Sequence, residues 1–201
     1  MAIVAGPQGS GKSTLFPVAA TKCDAFNVDE RRKQLNAGDS HNIPPALRRQ
    51  SQRELQGFIE GHILEGPSLA FEGTLAREIT FIQAAEAKRQ GFVIHLRYLC
   101  TDDIAENQER VAARVENGGH GCSPSTLRNT YSASIGNLAR AIREFDRVWA
   151  WDTTARGKPA RAVLVAESGR ITWLSPDPPR WLRQGLQGTE FADAGGGRRT
   201  S

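Results

Sequence analysis

The chain has 201 residues, 39% hydrophobic and 24% charged, the composition of an ordinary soluble globular domain with a sizeable core. Its 26 basic and 22 acidic side chains leave a net charge of +4, which suits an anionic ligand and falls short of the dense basic stripe of a nucleic-acid binder. Three scattered cysteines, Cys23, Cys100 and Cys122, suggest reduced thiols rather than a disulfide framework, and no apolar run approaches the roughly 20 residues of a membrane span.

In chain order, "AIVAG" reads as a buried parallel strand, followed by a glycine-rich loop. "KSTLFPVAATK" starts a helix that Pro17 bends or ends early. "DAFNV" is a second strand, with Asp29 immediately beyond it. Residues 45 to 65 are largely helical, with Leu47, Leu55, Phe58, Ile59, Ile63 and Leu64 able to supply one apolar face. "PSLAF" is the third strand, with Glu72 at its carboxyl end. "REITFIQAAEAKRQG" is a helix stopped by Gly91, and "FVIHLRYLC" is the fourth strand. Thr101 caps the next helix, "GHGCSP" breaks it, and "STLRNTYSASIGNLARAIREF" resumes as one helix of about five turns. "RVWAWD", "ARAVLVAESG" and "RITWL" are strands, the last two a hairpin around Ser168-Gly169. This alternation predicts an α/β fold of the P-loop NTPase type: a mostly parallel sheet, helices on both faces and a small C-terminal β-hairpin. One domain is expected over 1–183, with a flexible tail over 184–201. Glycines and Lys12 interrupt the N-terminus too early for a signal peptide, so a cytoplasmic location is expected.

"GPQGSGKST", residues 6 to 14, contains the phosphate-binding pattern G-x-x-x-x-G-K-[ST] between a predicted strand and a predicted helix. Gly6, Gly9 and Gly11 let the backbone, with Ser10, curl its N–H groups onto phosphate oxygens. The helix beginning near Lys12 adds its positive end. Lys12 reaches the β- and γ-phosphates, Ser13 ligates Mg²⁺, and Thr14 completes the motif.

In a doubly wound sheet ligands gather at the carboxyl ends of the strands, where Asp29 and Glu72 fall. An Asp there can take a proton from a substrate hydroxyl, and a Glu can orient substrate or Mg²⁺. Either could instead be structural, Asp29 as a helix cap. A motor ATPase would carry an apolar strand ending directly in Asp, and a GTPase an Asn-Lys-x-Asp motif; the chain has neither. Small-molecule kinases close an arginine-rich lid over the phosphates. Residues 110 to 131, with Arg110, Arg114 and Arg128 around a Gly-rich break at 118 to 121, have that form. The competing reading pairs these arginines with Glu106, Glu109 and Glu116 on a solvated helix. His120 and Cys122 alone make a poor zinc site.

Taken together and in order, "GPQGSGKST", "NVDERR", "FEGTL" and "RVAARVENGGHGCSPSTLRNTYSASIGNL" resemble the zeta-toxin family of P-loop kinases, in particular its compact bacterial branch, over residues 2 to 155. The resemblance implies a kinase that uses ATP and Mg²⁺ to phosphorylate a hydroxyl of a nucleotide-sugar-like metabolite, which is UDP-N-acetylglucosamine in the characterised toxins. It also implies a small antitoxin partner; the missing apolar span argues against a membrane, and the modest charge against nucleic acid. Position by position, Lys12 and Ser13 match the nucleotide loop, Asp29 the catalytic base and Glu72 the acid that positions substrate. Arg32 and Thr74 accompany them on the substrate side. Arg114 and Arg128 match the lid arginines, with Arg110 an alternative alignment for the first. The chain departs from the branch at Asn129, Thr130 and Ala133, where cations are expected. Fewer cations over the phosphates leave two other readings open: a nucleotide-binding module with weak or no phosphotransfer, and a kinase for another small molecule or an RNA end, the last suggested by "RRQSQR" at 48 to 53.

Overall fold

A computed structural model of the chain describes residues 1–116 and 121–192. Its strands are β1 (Ala2–Ala5), β2 (Asp24–Phe26), β3 (Leu69–Glu72), β4 (His95–Cys100), β5 (Arg147–Asp152), β6 (Arg161–Glu167) and β7 (Arg170–Leu174). They form one sheet in the order β2-β3-β1-β4-β5-β6-β7. The first five in that order run parallel; β6 and β7 continue antiparallel. β1 therefore lies between β3 and β4, and the chain leaves it first toward one edge and later toward the other. That topology opens a crevice at the carboxyl end of β1. The closing hairpin turns at Ser168 and Gly169, both with positive φ (48° and 78°), the conformation a two-residue turn needs to match strand twist.

The helices are α1 (Lys12–Leu15), α2 (Val28–Leu35), α3 (Pro45–Glu65), α4 (Glu78–Arg89), α5 (Ile104–Glu116), α6 (Pro124–Gly136), α7 (Leu138–Glu144) and α8 (Arg180–Leu186). They are shared unequally between the two faces. Alternate strand residues Ile3, Ala5, Leu69, Phe71, Leu96 and Tyr98 join α3, α4, α6, α7 and α8 in one continuous core. The opposite face buries Val4, Ala70 and Leu99 in a small cluster with Val18, against which Phe16 and Trp151 pack.

Several expectations change in detail. α1 is a single turn, because Pro17 follows and has no N–H to continue it. α2 begins at Val28, inside the expected strand "DAFNV", which ends at Phe26, and Asn27 caps it, its Oδ1 accepting from the amides of Asp29 (2.9 Å) and Glu30 (3.2 Å). α3 buries Leu55, Ile59 and Ile63 at four-residue spacing, while Leu64 is 83% exposed because it falls off that stripe. Asp103, not Thr101, caps α5: its carboxylate accepts from the amide of Ala105 at 2.8 Å. The expected five-turn helix is two helices, broken at Asn137, whose side chain donates to the carbonyl of Leu75 at 2.9 Å.

The boundary expected at 183 is also corrected. It falls inside α8, and beyond it Leu186 and Phe191 are buried, since α8 packs on α6 and α7. Residues 193–201 of the expected tail, and 117–120 of the expected lid, which include most of its Gly-rich break, lie outside the described residues. No helix among the described residues is long and apolar enough to cross a membrane.

Leu186→Ala should therefore lower unfolding free energy by about 2–5 kcal/mol, the range for a truncated core leucine. A urea melt reads it; a variant as stable as the parent would return the boundary to 183.

Candidate functional site

The loop after β1 can exist only with glycine at two positions. Gly6 has φ 142°, and a Cβ there would sit 1.9 Å from the carbonyl oxygen of Leu99 on β4. Gly9 has φ 78°, and its Cβ would lie 2.7 Å from the carbonyl oxygen of Asn107 on α5. The loop is thus pressed against both neighbours, in backbone conformations that side chains rarely adopt. α1, one turn long, adds little dipole, so the loop's own amides carry the anion-binding potential.

Lys12 is 7% exposed, and its ammonium donates to the carbonyls of Gly6 and Pro7, both at 2.9 Å. Burial pushes its pKa down, while the carboxylates of Glu72 and Asp29 act in the opposite direction. Glu72, at the end of β3, lies 3.9 Å from this ammonium and accepts from the Ser13 hydroxyl at 3.0 Å. Ser13 and Glu72 thus present two hard oxygens side by side, a donor set that fits Mg²⁺, which commonly takes one or two protein groups together with phosphates and water. No cluster of three or more His, Cys, Asp or Glu suited to a metal occurs among the described residues. His120 of the weighed zinc pair lies outside them, and Cys122 donates its thiol to Gln8 Oε1 at 2.9 Å. The three cysteines are unpaired.

Asp29 sits in the first turn of α2, and since Asn27 performs the capping, the structural role weighed for Asp29 belongs to Asn27. Arg32, one turn on, donates to Asp29 at 3.1 Å and to the Ser51 hydroxyl of α3 at 3.2 Å. Thr74 and Leu75 follow β3 into the crevice. Leu75 is fully buried with φ 60°, a left-handed conformation costing on the order of 1–3 kcal/mol for a branched residue. Two hydrogen bonds hold it: Ser134 to the carbonyl of Thr74 (2.5 Å), and Asn137 to that of Leu75.

These residues share one cavity of about 340 Å³, lined by Lys12, Asp29, Arg32, Glu72, Thr74 and Arg114 among others. Sequence reasoning missed Arg77, Gln52, Gln56 and Gln83 in its wall, which no motif marks. Arg114 Nε and Ser10 Oγ are buried without a hydrogen-bond partner among the described residues. A second cavity of about 480 Å³ flanks the loop's other side, between Gly11, Thr14, α5 and residues 153–160.

The expected lid arginines separate. Arg114 faces the first cavity. Arg110, taken as an alternative for its place, instead bonds Glu106 (2.8 Å), the carbonyl of Thr153 (2.7 Å) and, more distantly, that of Gly9 (3.4 Å). Arg128 is exposed and lines neither cavity; Thr130 reaches the first instead, since two residues along a helix are turned about 200° apart. Arg48, Arg49 and Arg53 are exposed on α3, and the cavity meets that helix at Gln52, Leu55 and Gln56.

No family model matches the chain. An uncharacterized protein of Haemophilus influenzae is 28% identical over 134 residues, 63% of this chain and 88% of that protein. Among solved structures, a chain of the AvrRxo1-ORF1:-ORF2 complex with ATP is similar over 85% of this chain and 59% of its own length, at 17% identity and a TM-score of 0.64. A chain of the native complex is similar over 96% and 64%, at 16% identity and 0.68. A chain of the PezAT chromosomal toxin-antitoxin system of Streptococcus pneumoniae is similar over 92% and 75%, at 15% identity and 0.59. This chain spans about three fifths of the AvrRxo1 chains. At such identities the likeness is one of fold: these chains share an α/β fold with this one, a mostly parallel sheet with helices on both faces.

Two predictions follow from this geometry. Lys12→Ala should abolish binding of a fluorescent ATP analogue, with a modest drop in melting temperature because the Gly6 and Pro7 carbonyls lose their donor; equal affinity would mean that the loop is not a phosphate site. The second concerns His41, between α2 and α3. Its Nδ1 lies 3.0 Å from Asp39 Oδ1 and its Nε2 3.3 Å from the carbonyl of Val115 on α5. Both partners are acceptors, so only the imidazolium donates to both, and these bonds hold its pKa above the ordinary value. The raised value means that the double bridge is complete at low pH and is lost as pH rises through it. In an NMR titration Asp39→Asn should lower the His41 pKa; an unchanged value would show that the bridge does not form.

Proposed function

We propose that this chain is an ATP-dependent kinase of the zeta-toxin type, phosphorylating a hydroxyl of a small metabolite. The observation that carries the reading is the cavity shared by the phosphate loop, Asp29, Glu72 and an Arg114 guanidinium with an unpartnered buried nitrogen. That nitrogen, on a side chain lining the cavity, is a polar group for which an anionic ligand would supply a partner. The likeness to a chain of a complex solved with ATP supports nucleotide binding.

In this reading Lys12 exchanges two neutral carbonyls for phosphate oxygens, and Arg114 meets the negative charge that spreads over the transferring group. Ser13 and Glu72 would hold Mg²⁺, which when bound neutralises phosphate charge. Asp29 takes the proton of the acceptor hydroxyl as its oxygen bonds to the γ-phosphorus and the bond to the β-phosphate's bridging oxygen breaks. Arg32 orients that carboxylate through its 3.1 Å bond. The second cavity, beyond the loop, is the place for the nucleotide's base. The acceptor that the resemblance implies is UDP-N-acetylglucosamine or a related UDP-sugar, its diphosphate drawn to Arg32 and Arg77 rather than to the exposed Arg48, Arg49 and Arg53. A small antitoxin partner and a cytoplasmic location belong to the same proposal. Similarity to chains of two-protein complexes supports the partner.

One observation favours a second reading, a nucleotide-binding module with weak phosphotransfer: Arg128 lies outside the cavity, and Thr130 occupies the place where a lid cation would reach. A removed charge-stabilising donor typically costs about 2.7–4 kcal/mol of transition-state binding.

One experiment separates the two. In a coupled ADP assay across UDP-sugars, simple sugars, nucleosides and RNA ends, UDP-sugars should stimulate most, and Asp29→Asn should cut the rate by about 10²–10⁴-fold with ATP affinity unchanged. Near-normal turnover in the mutant removes Asp29 as the base. A wild type that binds ATP and turns over no acceptor supports the module.

A further inference from the structure

The phosphate loop has an unusual property along its backbone: every carbonyl from Gly6 to Ser10 accepts a hydrogen bond. Lys12 donates to Gly6 and Pro7. Asn107 Nδ2 donates to Gln8 at 2.6 Å, Arg110 Nη1 to Gly9 at 3.4 Å, and Thr153 Oγ1 to Ser10 at 3.0 Å. The last three come from outside the loop, two from α5 and one from the segment after β5. They form a set. Asn107 is fully buried and its Oδ1 accepts from the Thr101 hydroxyl. Arg110 is anchored on the carbonyl of Thr153 at 2.7 Å. Thr153 is 7% exposed, its hydroxyl lying between the carbonyls of Ser10 and Cys100 (3.2 Å).

The consequence follows from peptide planarity. In a trans peptide the carbonyl of one residue and the N–H of the next point in opposite directions. Holding the carbonyls of Gln8, Gly9 and Ser10 toward α5 and Thr153 therefore turns the amides of Gly9 and Gly11 the other way, while the Ser10 amide between them donates to the Pro7 carbonyl at 3.3 Å and fixes the curl from inside. Holding the carbonyls there also removes three oxygen dipoles that would repel an anion. Glycine-rich backbone would otherwise be free to rotate these planes, and a phosphate would have to order them on binding.

We propose that Asn107, Arg110 and Thr153 are positioning residues that clamp the loop's carbonyls and so preorganise its amides for the phosphates of the nucleotide. The proposal rests on the reading of the loop as an ATP site. Asn107, Arg110 and Arg114 fall at i, i+3 and i+7 of α5, along one face. A single rigid helix thus sets the loop's amides and delivers Arg114 to the cavity.

The test is ATP affinity, measured by titration calorimetry with Mg²⁺, in variants that keep shape and remove a donor. Thr153→Val exchanges a hydroxyl for a methyl, Thr153→Ser restores the hydroxyl, and Asn107→Asp replaces an amide donor with a carboxylate. Thr153→Val and Asn107→Asp should each weaken ATP by about threefold to tenfold or more, the worth of one hydrogen bond. Thr153→Ser should bind as the wild type does, at a melting temperature matching that of Thr153→Val. If Asn107→Asp does not fold, the Thr153 pair decides alone. Lys12→Ala losing ATP while Thr153→Val retains full affinity overturns the clamp and leaves the ATP site standing. Wild type without ATP affinity overturns the site reading, and the clamp with it.

Discussion

The site depends on the burial of a single ammonium group. An isolated cation removed from water is strongly disfavoured, and Lys12 is tolerated because two loop carbonyls and the Glu72 carboxylate surround it. That arrangement requires the loop to curl tightly, which requires backbone without Cβ at Gly6 and Gly9. The curl also brings β4 and α5 against those glycines, Gly6 onto the carbonyl of Leu99 and Gly9 onto that of Asn107. Sheet order, loop shape and the charge at the cavity floor are one linked constraint.

The opposite wall is held by a different device. Leu75 occupies a strained conformation at the point where the chain leaves β3. It stays there because its side chain is fully buried and because Ser134 and Asn137 bind the two adjacent carbonyls. The break between α6 and α7 is the other side of that bargain: Asn137 ends one helix and gives its amide to the strained segment. Local strain at the cavity is thus balanced by hydrogen bonds from helices in the main core, which keeps Glu72 and Thr74 facing the phosphate loop.

Arg110 and Arg114 show how finely position on a helix divides roles. One turn apart on α5, they carry the same guanidinium. Arg110 spends its donors on Glu106 and on carbonyls behind the loop, where it shapes the backbone. Arg114 points into the cavity with a buried nitrogen available to a ligand. Displacement along the helix axis by about 6 Å, not residue type, makes the difference.

Much was legible from residue order because it rests on local chemistry. The strand–loop–helix setting of "GPQGSGKST", the sheet class, the hairpin at Ser168-Gly169, and the placement of Asp29 and Glu72 near the carboxyl ends of strands follow from periodicity, glycine conformations and chain direction. What stayed hidden depends on contacts distant in sequence. α2 buries none of its residues, α8 is too short for its apolar positions to stand out, and the continuation beyond 183 shows only in what Leu186 and Phe191 pack against. Asn107 and Thr153 belong to no motif; a polar residue four before Val111 on the buried side of α5 was the one available sign. Which lid arginine faces the cavity was also undecidable, since helical rotation is set by the packing of α5 and α6 on their neighbours. Sequence determined the chain order of the strands and the shape of the glycine-rich loop, because loop and turn conformations are properties of a few adjacent residues. Only the tertiary structure decided which groups meet, because burial and helix orientation are set by the whole core at once.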